Sequence, residues 1–302
     1  MIPTKTLTTT IAMVLLLFAY APEASQAAIG STSGAQFSCS SSRTSVENSG
    51  AASTTSGVLT LFIGYRQVSS NNQNPIMAAF NGNTQAWCRT DYDTSPADSR
   101  GYGLVSVNGN VYATFTADGG NVTLTNFTGN GWINSYGSGG GPRVSVVLRI
   151  NPANGAPTGG TFIIARLNNG NTNSATVEAI TASGSNVAIS GVSAFGPLDP
   201  GRNRRQDCSA NEFTYVLSAD LSTIVSATCP GGGTLLANGL TLEQVDVDDS
   251  GQVTPADAVF VLNRVGQNVN MGNNSSADVN ADNVIDASDA SIVTSFIGSS
   301  LP

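Results

Sequence analysis

Two segments near the end of the chain place oxygen-bearing side chains at intervals that suit a metal ion. The first runs from Asp246 to Asp257 and the second from Asp278 to Asp289. In both, the oxygen donors stand at positions 1, 3, 5, 7, 9 and 12 of a twelve-residue loop, which is the ligand pattern of a calcium loop. Calcium is a hard cation that takes about six to eight oxygen ligands. The spacing therefore predicts one calcium site in each loop.

The predicted ligands are side-chain oxygens, except that position 7 contributes its backbone carbonyl. In the first loop they are Asp246, Asp248, Ser250, Gln252, Thr254 and Asp257, and in the second they are Asp278, Asn280, Asp282, Val284, Asp286 and Asp289. At position 5 the hydroxyl of Ser250 is a weaker donor than the carboxylate of Asp282, so we expect the second loop to bind more tightly. The two loops lie 278 − 246 = 32 residues apart. This repetition predicts two bound calcium ions.

The loop positions between the ligands also have conformational requirements. Position 6 must turn sharply with positive φ, which Gly251 does freely and Asn283 tolerates better than most non-glycine residues. Position 8 is apolar in both loops. We expect Val253 and Ile285 at this position to join the two loops through a short strand pair.

A helix is predicted to follow each loop. Thr254 suits an N-cap, Pro255 the first helical position, and Asp257 the acidic position three residues after the cap. Residues 286–289 repeat the arrangement. The expected apolar faces carry Val261, Leu262 and Val265 in the first helix, and Ile292, Val293, Phe296 and Ile297 in the second.

This duplicated pattern, Asp-Val-Asn/Asp-x-x-Gly/Asn-x-Val/Ile-x-x-x-Asp followed by one helix, resembles a dockerin domain over residues 241–300. Paired-helix calcium hands differ because they have an entering helix before each loop, and aspartate at position 12 also suits dockerins. The resemblance implies a module that binds a cohesin-type protein and mounts secreted proteins, often polysaccharide-degrading enzymes, on a scaffold.

Two departures from the dockerin pattern concern partner recognition. The best-known dockerins carry a Ser-Thr pair at loop positions 10 and 11, where this chain has Pro255-Ala256 and Ala287-Ser288. A Lys-Arg pair of the first helix is represented only by Asn263-Arg264. The resemblance therefore implies the calcium sites without identifying the partner.

Composition excludes several other kinds of site. The chain of 302 residues has no histidine, so it cannot build a Ser-His-Asp or Cys-His catalytic arrangement or a histidine-bound metal centre. Lys5 is the only lysine, and it lies in the N-terminal segment. Residues 241–302 carry nine acidic side chains and one basic one, a net charge of 1 − 9 = −8, whereas residues 1–240 carry eleven of each. All the net charge thus lies in the last fifth of the chain.

The N-terminus and the cysteines predict export to an oxidising compartment. Lys5, the apolar run 11–21 and the small residues around Ala27 predict a signal peptide over residues 1–28, cleaved after Ala27 or Ala28, and no later run could span a membrane. The four cysteines predict two disulfides, for which three pairings are possible. Cys208 with Cys229 is favoured because they flank a hairpin, which leaves Cys39 with Cys88.

Residues 29–230 are predicted to form a β-rich domain of short strands separated by Gly, Asn and Ser turns. The predicted strands are 58–64, 110–116, 144–150, 160–167, 186–191, 214–219 and 223–227. A repeat of about seventy residues relates 79–84 to 149–155 and 217–222, and 103–114 to 179–190. These phrases resemble bacterial β-propeller repeats. A propeller needs about four or more blades, so a sandwich or an open stack of blades remains an alternative.

Candidate catalytic and ligand-binding residues in this region have structural alternatives. Asp91 and Asp93 are the only candidate pair of catalytic carboxylates, but they lie in a polar stretch where a solvated loop is favoured. A sugar-stacking surface is one interpretation of the aromatic residues, although core positions are favoured for Trp87, Tyr92, Tyr102, Tyr112, Trp132 and Tyr136. Arg202, Arg204 and Arg205 are interpreted as a solvated loop, not a nucleic-acid contact.

The sequence thus predicts a secreted or cell-surface protein with no catalytic residues. A β-rich surface or ligand-binding domain (29–230) precedes a Gly-rich linker (231–240) and a small helical, dockerin-like calcium domain (241–302). We expect calcium to order the acidic loops and their helices, which would form the face that binds the partner. The alternatives are a polysaccharide-degrading hydrolase of O-glycosyl bonds delivered by its dockerin, and a structural adhesion or cell-envelope protein.

Overall fold

A computed structural model describes residues 34–120, 122–139, 141–237, 240–272, 274–280 and 282–299. The predicted signal peptide, residues 1–28, lies outside the described residues. Across the described ranges, no helix has both the length and the apolar character needed to cross a membrane.

The β-rich region consists of three antiparallel meanders, in which consecutive strands pair with each other. A short helix, α1 (Arg43–Asn48), precedes the first meander, which contains β1 (Ala52–Ser56), β2 (Leu59–Ser69), β3 (Asn72–Asn81) and β4 (Thr84–Arg89). The second contains β5 (Ser99–Val107), β6 (Asn110–Asp118), β7 (Arg143–Ile150) and β8 (Pro157–Ile163). After a hairpin of β9 (Ala165–Arg166) and β10 (Thr172–Asn173), the third contains β11 (Ala175–Ser183), β12 (Asn186–Ser193), β13 (Glu212–Leu217), β14 (Ile224–Thr228) and β15 (Thr234–Leu236).

Turn chemistry explains why these strands pair with their sequence neighbours. In the two-residue turn between β5 and β6, Asn108 and Gly109 have φ values of 48° and 78°. Positive φ at both central residues is the type I′ geometry, whose twist matches that of the flanking strands. Local turns of this kind favour antiparallel hairpins over long crossovers.

The three meanders stack in chain order. Strand β5 packs on β1, β2 and β3, and β11 packs on β5 and β7. A single parallel bridge between Ala175 and Val144 links the second and third meanders into one nine-stranded sheet. One continuous core of buried apolar side chains runs through all three.

The mainly β fold with a small helical C-terminal region is confirmed, and each of the seven predicted runs overlaps a strand. The β-propeller is not confirmed. The repeated phrases instead mark equivalent hairpin turns, because 79–84, 149–155 and 217–222 span the turns β3–β4, β7–β8 and β13–β14. Within the described ranges, no strand of the third meander pairs with a strand of the first.

The aromatic residues lie inside the protein. Five of the six candidates for sugar stacking are at most 2% exposed: Tyr92, Tyr102, Tyr112, Trp132 and Tyr136. Trp87 is partly buried, and its indole N–H donates to the carbonyl oxygen of Pro152 at 2.8 Å. These side chains form the core, so the structure does not support a sugar-stacking surface.

Both of the disulfide pairings that the sequence favoured are confirmed. Cys39 bonds to Cys88 and Cys208 bonds to Cys229. The first ties the segment before α1 to the end of β4, beside a small core that includes Phe37, Val46 and Phe62.

The C-terminal region contains three short helices, α2 (Leu242–Val245), α3 (Pro255–Leu262) and α4 (Ala287–Ser295), and a 3-10 turn at Asn274–Ala277. The predicted linker at 231–240 contains strand β15, because Thr234 to Leu236 pair with β14. The glycines of 231–233 that suggested a linker form the turn of this hairpin.

Candidate metal centre

The first loop brings three carboxylates together. One oxygen from each of Asp246, Asp248 and Asp257 lies within 4.8 Å of the others. Asp246 and Asp257 are buried, and Asp248 is exposed. Buried carboxylates need donors or a cation to offset their lost hydration, so their hydrogen bonds decide what the loop can do.

Backbone N–H groups hold the two ends of this loop. Asp246 at position 1 accepts from the backbone N–H of Ser250 at 3.0 Å and of Gly251 at 2.7 Å. Asp257 at position 12 accepts from the backbone N–H of Asp248 at 3.1 Å and of Thr254 at 2.7 Å. The loop is therefore wrapped around its own first and last carboxylates.

The second loop repeats the arrangement. Asp278 accepts from the backbone N–H of Asp282 at 3.1 Å and of Asn283 at 3.0 Å. Asp289 accepts from the backbone N–H of Asn280 at 3.1 Å and of Asp286 at 3.0 Å. In each loop position 1 binds the N–H groups of positions 5 and 6, and position 12 binds those of positions 3 and 9. Two different sequences thus adopt the same fold around the same pair of carboxylates.

Position 6 has the expected backbone in both loops. Gly251 has a φ of 84° and Asn283 a φ of 69°. This confirms the prediction of positive φ at both residues.

The predicted helix starts are also confirmed. Thr254 caps α3 and Asp286 caps α4, and each forms a capping box with the aspartate at position 12. Asp257 and Asp289 thus serve two purposes, because each closes its loop and starts the helix that follows. Each N-terminus also presents partial positive charge to that aspartate.

The prediction that Val253 and Ile285 pair with each other is wrong. Val253 exchanges backbone hydrogen bonds with the segment after α4, where Gly298 N–H donates to Val253 O and Val253 N–H donates to Ser299 O, both at 2.8 Å. The carbonyl of Ile285 accepts from Gly266 N–H, after α3, at 2.9 Å. Each position-8 residue therefore ties its own loop to the end of the other helix.

A repeated glycine in the sequence could have indicated these hydrogen-bond partners. Gly266 and Gly298 lie 32 residues apart, the same offset as the loops, and both have positive φ, of 76° and 96°. A positive φ after a helix is the usual way for the chain to turn back across its end. At each repeated glycine the turn directs the backbone N–H towards the position-8 residue of the other loop, where it donates a hydrogen bond.

Only part of each predicted apolar helix face is buried. Val261, Val293 and Phe296 lie in the small C-terminal core, and Ile292 packs against it. Leu262, Val265 and Ile297 are exposed by 54%, 45% and 41%. The helices are too short and the domain too small to cover an apolar stripe of that width. An exposed apolar surface remains.

The donors fit calcium. The predicted side-chain ligands are all oxygen donors, and none takes part in the four ion pairs of the described residues. The region's one guanidinium, Arg264, lies over the ring of Phe260 and donates to that residue's carbonyl at 2.9 Å. Like charges within 4.8 Å repel, and a divalent cation bound among them would relieve that repulsion.

Both candidate carboxylates, Asp91 and Asp93, are engaged in contacts within the protein. Asp91 is exposed and binds Arg89 through both carboxylate oxygens, at 3.0 and 2.6 Å.

Asp93 is fully buried and accepts four hydrogen bonds at 2.5–3.0 Å. The donors are Ser99 Oγ, the N–H and hydroxyl of Thr123, and the N–H of Ser95. Burial alone would raise the pKa of Asp93, but these hydrogen bonds outweigh it and lower the pKa. The expectation of a solvated loop is thus wrong for Asp93, which is a structural anchor.

The arginines after Pro200 are mostly engaged within the protein. Arg205 is buried, forms an ion pair with Asp207 and donates to the carbonyls of Ala227 and Gly233. Arg204 lies over the ring of Phe195. The expectation of a solvated loop is therefore wrong for Arg205, whereas Arg202 is exposed.

No curated protein matches the chain. Residues 244–298 match the family model described as the dockerin type I domain. This range covers both loops, α3 and α4. Dockerin domains bind calcium and mediate docking between proteins, and the C-terminal segment of this chain is a dockerin-like domain.

Proposed function

We propose that the protein is secreted, binds two calcium ions in its C-terminal dockerin-like domain, and uses that domain to dock its β-rich region onto a cohesin-type partner. The main support is the duplicated network of hydrogen bonds, in which both loops fold around the carboxylates at positions 1 and 12. Both disulfides fit an oxidising compartment.

The proposed ligands are the donors at the six loop positions. In the first loop they are Asp246, Asp248, Ser250, the carbonyl of Gln252, Thr254 and Asp257, and in the second they are Asp278, Asn280, Asp282, the carbonyl of Val284, Asp286 and Asp289. Bound calcium would supply positive charge to a region with nine acidic side chains and one basic one. The carboxylates can then lie close together, and the loops hold α3 and α4 in place.

Calcium titration of the full secreted chain by isothermal calorimetry tests the two sites. We expect two ions per chain, and we expect Asp246→Ala and Asp278→Ala each to remove one, because each variant deletes the position-1 carboxylate of one loop. Helical circular dichroism should fall on chelation. The absence of calcium-dependent heat would contradict the sites, and an unchanged helical signal would contradict calcium-coupled ordering.

The docking surface is proposed on the outer face of α3. Val259 and Leu262 are exposed by 52% and 54% although they are apolar, and they lie on the same side of the helix. The equivalent positions of α4, 32 residues later, are Ser291 and Thr294. At these two equivalent positions, α3 therefore presents apolar side chains to a partner, whereas α4 presents hydroxyl groups.

A paired substitution tests this surface. We expect Leu262→Asp to weaken calcium-dependent capture by cohesin domains at least about tenfold, because a charge would be buried in the apolar contact. Thr294→Asp adds the same charge at the equivalent position of α4 and should leave capture unchanged. Both side chains are exposed, so calcium affinity should be preserved in both variants. Equal capture by Leu262→Asp and wild type would place the docking surface elsewhere.

A further inference from the structure

The core of the dockerin-like domain includes a residue from the β-rich sheet. Leu236 lies on β15, in register with Ser226 of β14, and is fully buried. It belongs to the same apolar cluster as Val245, Val261 and Val293 of the C-terminal region. Leu236 precedes the matched range 244–298. The domain therefore takes a core side chain from outside that range.

Backbone hydrogen bonds also connect the β-rich region to the C-terminal region. Ala237 N–H donates to the carbonyl of Val225 in β14 at 3.0 Å, and Leu236 N–H donates to the carbonyl of Leu240 at 2.8 Å. The side chain of Val225 also packs against the C-terminal cluster. An isolated bridge pairs Leu235 with Thr241, immediately before α2. Backbone hydrogen bonds therefore link the β14–β15 hairpin directly to the residues that precede α2.

The first ligand position directly follows this junction. Helix α2 contacts β15, and its Leu242 and Val245 are buried in the same cluster as Leu236. Asp246, the first ligand, ends α2 and donates its N–H to the carbonyl of Leu242 at 2.9 Å. Leu236 thus supports the helix that places the position-1 carboxylate.

We propose that the β14–β15 hairpin completes the core of the dockerin-like domain, and that Leu236 is a positioning residue for its calcium sites. This inference rests on the proposed function, because it assumes that the sites bind calcium. Coupling between two sites is reciprocal. Calcium binding therefore stabilises the β14–β15 hairpin, just as the hairpin favours calcium binding.

Two matched leucines provide the first test. In the full chain we expect Leu236→Ala to lower calcium affinity at least about tenfold, because the cavity it leaves loosens the core that supports the loops. Leu235→Ala removes the same atoms from the neighbouring residue of β15, which is only partly buried and lies outside the cluster. It should bind calcium like the wild type. Isothermal calorimetry reports both affinities.

Hydrogen exchange of the wild type provides a second test that needs no variant. We expect calcium to slow amide exchange in residues 225–237, where the hairpin lies, and to leave the β5–β6 hairpin unchanged. If the wild type binds calcium, but Leu236→Ala binds equally well and exchange in 225–237 does not respond, the inference is overturned and the calcium function stands. If the wild type binds no calcium, both are overturned.

Discussion

Asp257→Asn is expected to lower calcium affinity at the first loop at least about 100-fold, a loss at least as large as that seen when supporting residues of metal sites are removed. Asp257 is fully buried, and its two oxygens accept from Asp248 N–H and Thr254 N–H at 3.1 and 2.7 Å. An amide has one acceptor oxygen, so its NH₂ group would face one of these donors. The loop would lose a ligand charge and one of its closing hydrogen bonds together.

Asp249→Asn is the matched control. Asp249 carries the same charge in the same loop, but it stands at position 4, which is not a ligand position, and it is exposed. Asparagine also tolerates its φ of 57°. We expect only a small change in affinity from losing this charge. A similar loss in both variants would mean that net charge, and not ligand geometry, controls binding.

Asp93→Asn is expected to destabilise the β-rich region by about 3 kcal/mol or more, since a buried carboxylate surrounded by donors would become an amide whose NH₂ group opposes some of them. The affected donors belong to Ser95, Ser99 and Thr123. The midpoint of thermal unfolding should fall by about 6–12 °C.

Asp91→Asn supplies the comparison for Asp93. Asp91 is exposed, and its ion pair with Arg89 is a surface contact worth about 1 kcal/mol or less. Thermal unfolding of the two variants side by side should show a large effect at Asp93 and a small one at Asp91. Equal effects would contradict the structural role assigned to Asp93.

The lowered pKa of Asp93 also predicts how stability depends on pH. A carboxyl whose pKa is lower in the folded state stabilises the protein above its unfolded pKa of about 3.9, and this contribution is lost as the pH falls through the folded pKa. The stability difference between wild type and Asp93→Asn should therefore shrink below about pH 4. Unfolding by urea at several pH values measures it, and a difference that is constant over this range would contradict the prediction.

Sequence patterns predicted best where the structure is local. The fold of the two acidic loops was predictable because the positions that define it lie within twelve residues, and the capping boxes were predictable because they span four. Strands with alternating or β-branched runs, such as β6 and β7, were also found. Strand β3 was not, because Asn74 to Phe80 are all buried and contain Pro75, so alternation is absent and proline argues against a strand.

Contacts between distant segments were not predictable in the same way. Asp93 lies in a polar stretch for which the sequence predicts a solvated loop. In the structure it accepts a hydrogen bond from Thr123, thirty residues later, which the local sequence does not indicate. The exposure of Leu262 and the burial of Leu236 depend on how a small domain packs against a sheet edge. The partners of Val253 and Ile285 depend on where the two helices end, which loop spacing alone does not give.

The backbone hydrogen bonds of the position-8 residues make each loop-and-helix half dependent on the other. Val253 of the first half is bound by Gly298 and Ser299 of the second, and Ile285 of the second half is bound by Gly266 of the first. A chain ending after one loop and one helix would leave these backbone groups without partners and would lack half of the core. Removing the last few residues would likewise release the first loop, although they lie far from it in sequence. The two loop-and-helix halves therefore depend on each other for their backbone hydrogen bonds and for their core.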